Sequence, residues 1–362
     1  MNHQSRPVIG LEGVAAAETR LSHVEGERGE LIIAGEYVGD LAFSLDFEAL
    51  VARLWALAKD DDVDADHVRL ALGKSRREAF SHVPSVLSVT EGMPLVDAFR
   101  VAIAALQPSD QRAPEITLLG AMPVIAAALV RRSEGQPVIE PDPAASHAGD
   151  FLRMLRGSDA SAQEIAALNA YLITVSDHGM NASTFTSRVV ASTHADLFMA
   201  VTAAYCALSG PLHGGAPEPV LDMLDAIGSE DRIEDWVDAA LARGDRLMGF
   251  GHRIYRVRDP RADVLKAAVE RLHVTGKDLG LATQVEAYAR QALARHKPGR
   301  KLETNVEFFT AILLDALQIP RQAFTPVFAA GRTAGWTAHA IEQQRTGRLL
   351  RPAATYTGAM PG

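Results

Sequence analysis

Gly210-Pro211-Leu212-His213-Gly214-Gly215-Ala216-Pro217-Glu218 sets a histidine among glycines, between two segments of helical spacing. Upstream, 184–208 reads as one long apolar helix. Downstream, Pro217-Glu218-Pro219-Val220-Leu221-Asp222-Met223-Leu224 puts a proline and an acid in a first helical turn. The glycines leave the backbone permissive, so a ligand can come close to it. His213 is therefore expected at a helix N-terminus, where the dipole disfavours a positive charge. A neutral imidazole so placed donates a hydrogen bond where an enolate or oxyanion forms, which points to carbonyl chemistry. Gly249-Phe250-Gly251-His252-Arg253 repeats the arrangement further along.

Outward from these loops, nearly everything after Phe47 has helical spacing. Helices are predicted over 46–58, 85–91, 94–106, 115–132, 147–156, 162–175, 184–208, 217–226, 233–243, 261–272, 279–296, 306–317 and 326–346. Strand signals are confined to Glu30-Leu31-Ile32-Ile33 and Glu36-Tyr37-Val38, joined by Ala34-Gly35 as in a hairpin. The fold class is all-α with a short N-terminal hairpin, and no fixed period suggests a solenoid. Thr325-Pro326 as cap and first residue, and Gly347 as terminator, bound the last helix. Arg332, His339 and Gln343 fall close to one of its faces, while Gly331 and Gly335 let another helix approach. An inward arginine there needs an anion; taken alone, this helix reads more simply as carrying a surface salt bridge.

The chain of 362 residues suits two domains or one domain with an inserted lobe. At 48% hydrophobic and 22% charged it has the composition of a soluble globular enzyme. With 45 acidic against 36 basic residues and a net charge of -9, nucleic acid is not an expected partner. The single cysteine, Cys206, lies in an apolar run, is expected to be a buried structural thiol, and fits a reducing, cytoplasmic setting. Met1 to Arg6 show no apolar leader. The uncharged stretches 116–130 and 197–217 are broken by Gly120 and Pro123 and by Gly210 and Pro211, short of the roughly 20 uninterrupted apolar residues of a membrane span. Both are expected as buried helices, with no membrane partner.

Polar groups that are hard to justify structurally gather in Ser176-Asp177-His178-Gly179-Met180-Asn181, the His213 loop, 248–261 and Asn305-Val306-Glu307. No histidine pair has helical metal-ligand spacing, so no metal is expected. Gly249-Phe250-Gly251 lacks the third glycine of a dinucleotide fingerprint, and neither a Walker sequence nor a nucleophile elbow occurs. The segment from His252 to Arg261 carries four arginines in ten residues. Guanidinium forks bind carboxylates and phosphates bidentately. A solvated charged turn is the alternative, and the preceding glycines and histidine favour a site for a small polyanion.

On these residues the chain resembles the citrate synthase family, in its short form without an added N-terminal regulatory domain. The likeness runs through Gly10-Leu11-Glu12-Gly13-Val14 with Glu18-Thr19, Asp177-His178-Gly179-Met180-Asn181-Ala182-Ser183-Thr184, Gly210 to Ala216 and Gly249 to Arg253. It continues through Asp259-Pro260-Arg261, Gly331-Arg332 and Arg351-Pro352. The resemblance implies a homodimer of two-lobed helical subunits, with 1–213 and 320–362 forming a large domain and 214–319 a small one that closes over the substrates. Those substrates would be acetyl-CoA and oxaloacetate, joined in a Claisen-type condensation whose thioester product is hydrolysed, with no resident cofactor. It further implies that His213 holds the enolate oxygen and His252 polarises and protonates the oxaloacetate carbonyl. Arg261, Arg332 and Arg351, the last from the partner subunit, would clamp the carboxylates, with His178 on the same substrate. Arg256 and Arg131 would meet CoA phosphates, and the backbone of Leu247, Met248, Gly249, Phe250 and Gly251 the adenine end.

The family takes the methyl proton with an aspartate in Asn-Val-Asp, where this chain has Glu307. One methylene moves a carboxylate by about a bond length, and misplacements near 1 Å can cost on the order of a hundredfold. Thr304-Asn305-Val306-Glu307 also fits a capping box, with Thr304 capping and Glu307 reaching back. Two alternatives to citrate formation follow: propionyl-CoA as the thioester, giving 2-methylcitrate, and an impaired homologue that binds these ligands as a sensor. Pro217 in place of asparagine and Ala34-Gly35-Glu36 in place of Arg-Gly-Tyr are lesser departures.

Overall fold

Ile33 and Leu31 face inward from a small antiparallel ribbon that opens the described chain. The fold is that of a computed structural model describing residues 10–11, 13–108, 112–213, 217–252, 254–272 and 277–361, the side chains of Lys277 and Asp278 excepted. Glu12, Gly214-Gly215-Ala216 and Arg253 of the sequence motifs lie outside the described residues.

Strand β1 (Ser22–Glu25) pairs with β2 (Glu30–Ile33), and β2 with β3 (Glu36–Tyr37). The register sets Val24 opposite Leu31 and Ile33 opposite Glu36. Ala34 and Gly35 both have positive φ, 49° and 87°, the backbone a two-residue hairpin turn requires. β1 escapes the sequence reading because Val24 is its one apolar residue.

Sixteen α-helices follow among the described residues. They begin with α1 (Val38–Ser44), α2 (Phe47–Lys59), α3 (Ala65–Phe80), α4 (Val83–Val89) and α5 (Leu95–Ala104). Next come α6 (Pro114–Ser133), α7 (His147–Arg156), α8 (Ala162–Ser176), α9 (Ala182–Ala191) and α10 (Leu197–Leu208). Beyond the His213 turn lie α11 (Pro217–Ile227), α12 (Ile233–Ala242), α13 (Pro260–Arg271), α14 (Lys277–His296), α15 (Val306–Ala316) and α16 (Phe324–Thr346).

The departures from expectation have local causes. α3 has no continuous apolar stripe, because its inward face includes Gly73, Ser75 and Arg76. Arg76 is satisfied there by Asp150 at 2.7 Å and by the Asp142 and Ala145 carbonyls. The single helix expected over 184–208 is two, since His194 takes φ 61° and Asp196 caps a new start by accepting the Met199 N–H. α16 begins at Phe324, continuing a 3-10 turn at Arg321–Ala323, so Thr325 is not its cap. Cys206, expected buried, is exposed, because α10 is apolar on its outer face as well. α6 is long and apolar enough to cross a membrane, yet 89% of its apolar window is buried, as a core helix would be.

α16 is the axis of the core. A Cβ on Gly331 would lie 2.7 Å from Val175 Cγ2, and one on Gly335 would lie 2.3 Å from the Ser176 carbonyl oxygen. These two glycines let α16 press against the last turn of α8, from which Asp177 and His178 emerge. An alanine inside a helix ordinarily gains up to about 1 kcal/mol over glycine. Gly335→Ala is instead expected to lose about 1–3 kcal/mol in urea unfolding, from overpacking against backbone. An unchanged midpoint would mean that the two helices can part freely.

Candidate active site

Six chain segments bring their polar side chains to one cleft. His178 follows α8, His213 follows α10, and His252 follows a short bridge between Phe250 and Thr304. Arg261 and Glu307 stand in the first turns of α13 and α15, and Arg332 points in from α16.

The His178 and His252 rings meet edge to face with centroids 5.7 Å apart, and Tyr255 packs on both. Tyr255 Oη lies 3.1 Å from His178 Nε2. Asp259 caps α13 and grips Arg261 with both oxygens, at 3.0 Å to Nε and 2.8 Å to Nη2. The same carboxylate accepts the Val306 N–H at 3.2 Å, which joins the start of α15 to the start of α13. Arg261 Nη2 then lies 3.4 Å from His252 Nε2. His213 Nε2 accepts the Ser183 N–H at 3.2 Å and lies 2.8 Å from Ser183 Oγ, to which Trp336 Nε1–H donates.

Arg332 decides the character of the cleft. It is 1% exposed, donates through Nε to the Val175 carbonyl and lies over the Phe328 ring. Among the described residues no carboxylate comes within salt-bridge distance of it. Burial brings its pKa down to about 10, against the favourable influence of Asp177. A buried charge without a partner is costly, so the surface salt bridge favoured by the sequence gives way to an anion site. His339 and Gln343, expected on the same face, are buried too. His339 Nδ1 accepts from Arg188 Nε at 2.9 Å, so Nε2–H donates to Asp177 at 3.1 Å. Asp177 in turn accepts the His178 N–H at 2.8 Å.

All three cleft histidines are held neutral. Burial and then Arg332 lower His213 to about 4, and burial and then Arg261 lower His252 to about 4. Burial, with Arg261 next, puts His178 well below its ordinary value. The neutral His213 expected from a helix dipole is thus present, with burial and an arginine as the main causes. Glu307 moves the other way. Burial raises it to about 7, while Arg261 and Arg246 pull it down.

Thr304 does not cap α15: its hydroxyl donates to Glu286, and Asn305 Oδ1 accepts the Glu307 N–H at 3.0 Å. The alternative capping box is therefore absent, and the Glu307 carboxylate is left available to the cleft. Asn305 also ties the His252 loop down, because its N–H donates to the Gly249 carbonyl and its Nδ2 to the Gly251 carbonyl, both at 2.9 Å. Gly249 has φ 81°, and a Cβ there would strike the Phe308 ring at 2.8 Å. Leu247 and Phe250 are buried and Met248 half-buried beside it.

The arginine-rich segment divides. Arg261 enters the cleft, Arg258 pairs with Asp263 and Glu286, and Arg256 is exposed near Glu27. It is neither one polyanion site nor a wholly solvated turn. Arg131 is not brought to the cleft. It is 6% exposed and holds the Pro137 carbonyl and the Leu155 carbonyl in the last turn of α7, which lacks an intrahelical donor. Arg351 lies in an exposed segment past α16. Sequence reasoning gave no role to Tyr255, Asp259, Ser183 or Trp336. Only Asp259, as the cap before Pro260, carried a local signal.

The family model described as citrate synthase, C-terminal domain, matches residues 10–353. The chain is 36% identical to the citrate synthase of Haloferax volcanii over 368 residues, covering 96% of this chain and 95% of the relative. It is similar to the crystal structure of citrate synthase from Thermotoga maritima with a TM-score of 0.85 and 31% identity, over 98% of this chain and 96% of that one. It is also similar to citrate synthase from Thermoplasma acidophilum, solved in a ternary complex with carboxymethyl coenzyme A and oxaloacetate, with a TM-score of 0.81 and 27% identity over 97% of each chain. Likeness of this extent in both sequence and fold, around a cleft of neutral histidines and buried arginines, establishes that the chain belongs to the citrate synthase family.

Proposed function

We propose that this chain condenses acetyl-CoA with oxaloacetate and water to give citrate and CoA, with no resident cofactor. The observation that carries the reading is the buried Arg332, without a carboxylate partner among the described residues, sharing a cleft with Arg261 and three neutral histidines. Such a site asks for a small dicarboxylate bearing a carbonyl. Glu307 takes a proton from the thioester methyl, and the electrons move to the thioester oxygen, which neutral His213 meets. The resulting carbon nucleophile attacks the oxaloacetate keto carbon while His252 supplies the proton to its oxygen. Water then cleaves the citryl thioester and releases the thiol.

Arg261, Arg332 and Arg351 of the partner subunit clamp the carboxylates, with His178 beside them. The CoA arm lies along 247–251, chiefly at Leu247 and Met248, because Gly249 and Gly251 already pair with 303–305. Arg256 meets its phosphates. A homodimer is supported by the outward Met199 and Leu212, 59% and 84% exposed around α10. We read 214–319 as the lobe that closes over the substrates, and the lone Cys206 as suiting a cytoplasmic protein.

The test is thiol release by the purified protein with oxaloacetate and, in parallel, acetyl-CoA and propionyl-CoA. Turnover of about 1–1000 per second with acetyl-CoA is expected. A kcat/KM favouring propionyl-CoA would rename the product 2-methylcitrate, and no release by folded, oxaloacetate-binding protein would make the chain a sensor.

The pH profile follows from Glu307. The base must be deprotonated, so kcat/KM is expected to rise with pH and reach half its plateau near 7, while His213 and His252, at about 4, are already neutral. A profile flat between about pH 5 and 8 would remove Glu307 from this role.

A further inference from the structure

The β1–β2 ribbon reaches from one histidine loop to the other. At its base Ser22 Oγ accepts the Gly179 N–H at 3.1 Å, next to His178. At its tip the Gly26 carbonyl accepts the Arg256 N–H at 2.9 Å.

 The carbonyl of Ile254 also comes against Gly26 so closely that a Cβ there would lie 2.4 Å from its oxygen. Gly29, at φ 68°, sits in the same way against Val257 and the Arg258 carbonyl.

The backbone so held is the one that addresses His252. The N–H groups of Ile254 and Tyr255 both donate to His252 Nδ1, at 3.0 and 3.1 Å. Two donors on one ring nitrogen require a lone pair there, so the proton of the neutral ring is on Nε2. Nε2–H and Arg261 Nη2–H then stand 3.4 Å apart, two donors with no bond to offer each other. They converge on a shared acceptor, as a keto acid would supply.

We propose that Gly26 is a positioning residue for the reaction: by taking the Arg256 N–H and admitting the Ile254 carbonyl, it sets the 254–256 backbone that keeps His252 in its Nε2–H form, facing the substrate oxygen. The proposal rests on the reading of His252 as the group that protonates the keto oxygen. Glycine is required because any side chain pushes the two backbones apart. Relieving a 2.4 Å approach to ordinary contact moves the Ile254 backbone by about 1 Å, a displacement that can cost on the order of a hundredfold in rate.

The test uses the full-length protein labelled with nitrogen-15 in histidine, the His252 signals being assigned by their loss in His252→Gln. Wild type is expected to show Nδ1 unprotonated and Nε2 protonated at neutral pH. Gly26→Ala is expected to shift His252 toward a mixture of tautomers and to lower kcat about tenfold or more, with the oxaloacetate KM within about threefold. Glu27→Gln, which removes only an exposed charge facing Arg256, is expected to change neither. A wild-type spectrum with the proton on Nδ1, or a Gly26→Ala spectrum identical to wild type, overturns the proposal. Because the spectrum is read without substrate, it decides the matter even if the protein releases no thiol. A failure of the positioning role is thereby distinguished from a failure of the proposed condensation.

Discussion

Glu307→Gln is expected to lower kcat about a thousandfold while leaving oxaloacetate affinity unchanged. Glutamine keeps the shape of the side chain but cannot accept the methyl proton. The helix start does not depend on the carboxylate, because Asn305 caps it through the Glu307 N–H. Burial already disfavours the charged form and holds the acid near 7, so a neutral amide fits the site without loss of stability. Thiol release measured beside oxaloacetate titration calorimetry checks both halves. A fall of less than about tenfold would mean that another group removes the proton. Glu307→Asp withdraws the carboxylate by about a bond length and is expected to cost about ten- to a hundredfold. A gain in turnover would instead mark the glutamate as an impaired base and favour the sensor reading.

Arg332→Met is expected to weaken oxaloacetate binding about a hundred- to a thousandfold and to leave CoA affinity within about threefold. The side chain is 1% exposed, and its charge meets no carboxylate among the described residues. Methionine occupies comparable volume without the charge. The ligand-free protein is therefore expected to keep its urea midpoint or to gain, because an uncompensated buried charge is removed. Equal losses for oxaloacetate and CoA, or a clear fall in the midpoint, would make Arg332 a structural residue. The contrast with Arg188 is instructive. Arg188 is equally buried but paired with Glu342 and hydrogen-bonded to Gln343 and His339, so its partners lie within the protein.

Much of the cleft was legible because glycine and histidine announce themselves locally. His178, His213, His252, Arg261, Glu307 and Arg332 all come together as the motifs suggested. The residues that hold them were harder to read. Tyr255 looks like a turn aromatic, and Ser183 and Trp336 like helix filler, until α9, the His213 turn and α16 meet. Arg131 shows the converse: an arginine near a helix end resembles a phosphate ligand in the sequence, while in the fold its guanidinium is engaged with the Pro137 and Leu155 carbonyls.

Sequence by itself determined the helical class, the two-residue turn at Ala34-Gly35 and the glycine-flanked histidines. Each rests on periodicity or on backbone freedom within a few residues. Tertiary structure alone decided which charges stay unpaired. Arg258, Arg261 and Arg332 are chemically the same side chain, and only packing gives the first Glu286 and Asp263, the second Asp259, and the third no carboxylate among the described residues. It likewise raised Glu307 and lowered the histidines, since desolvation depends on what encloses a group rather than on its neighbours in the chain.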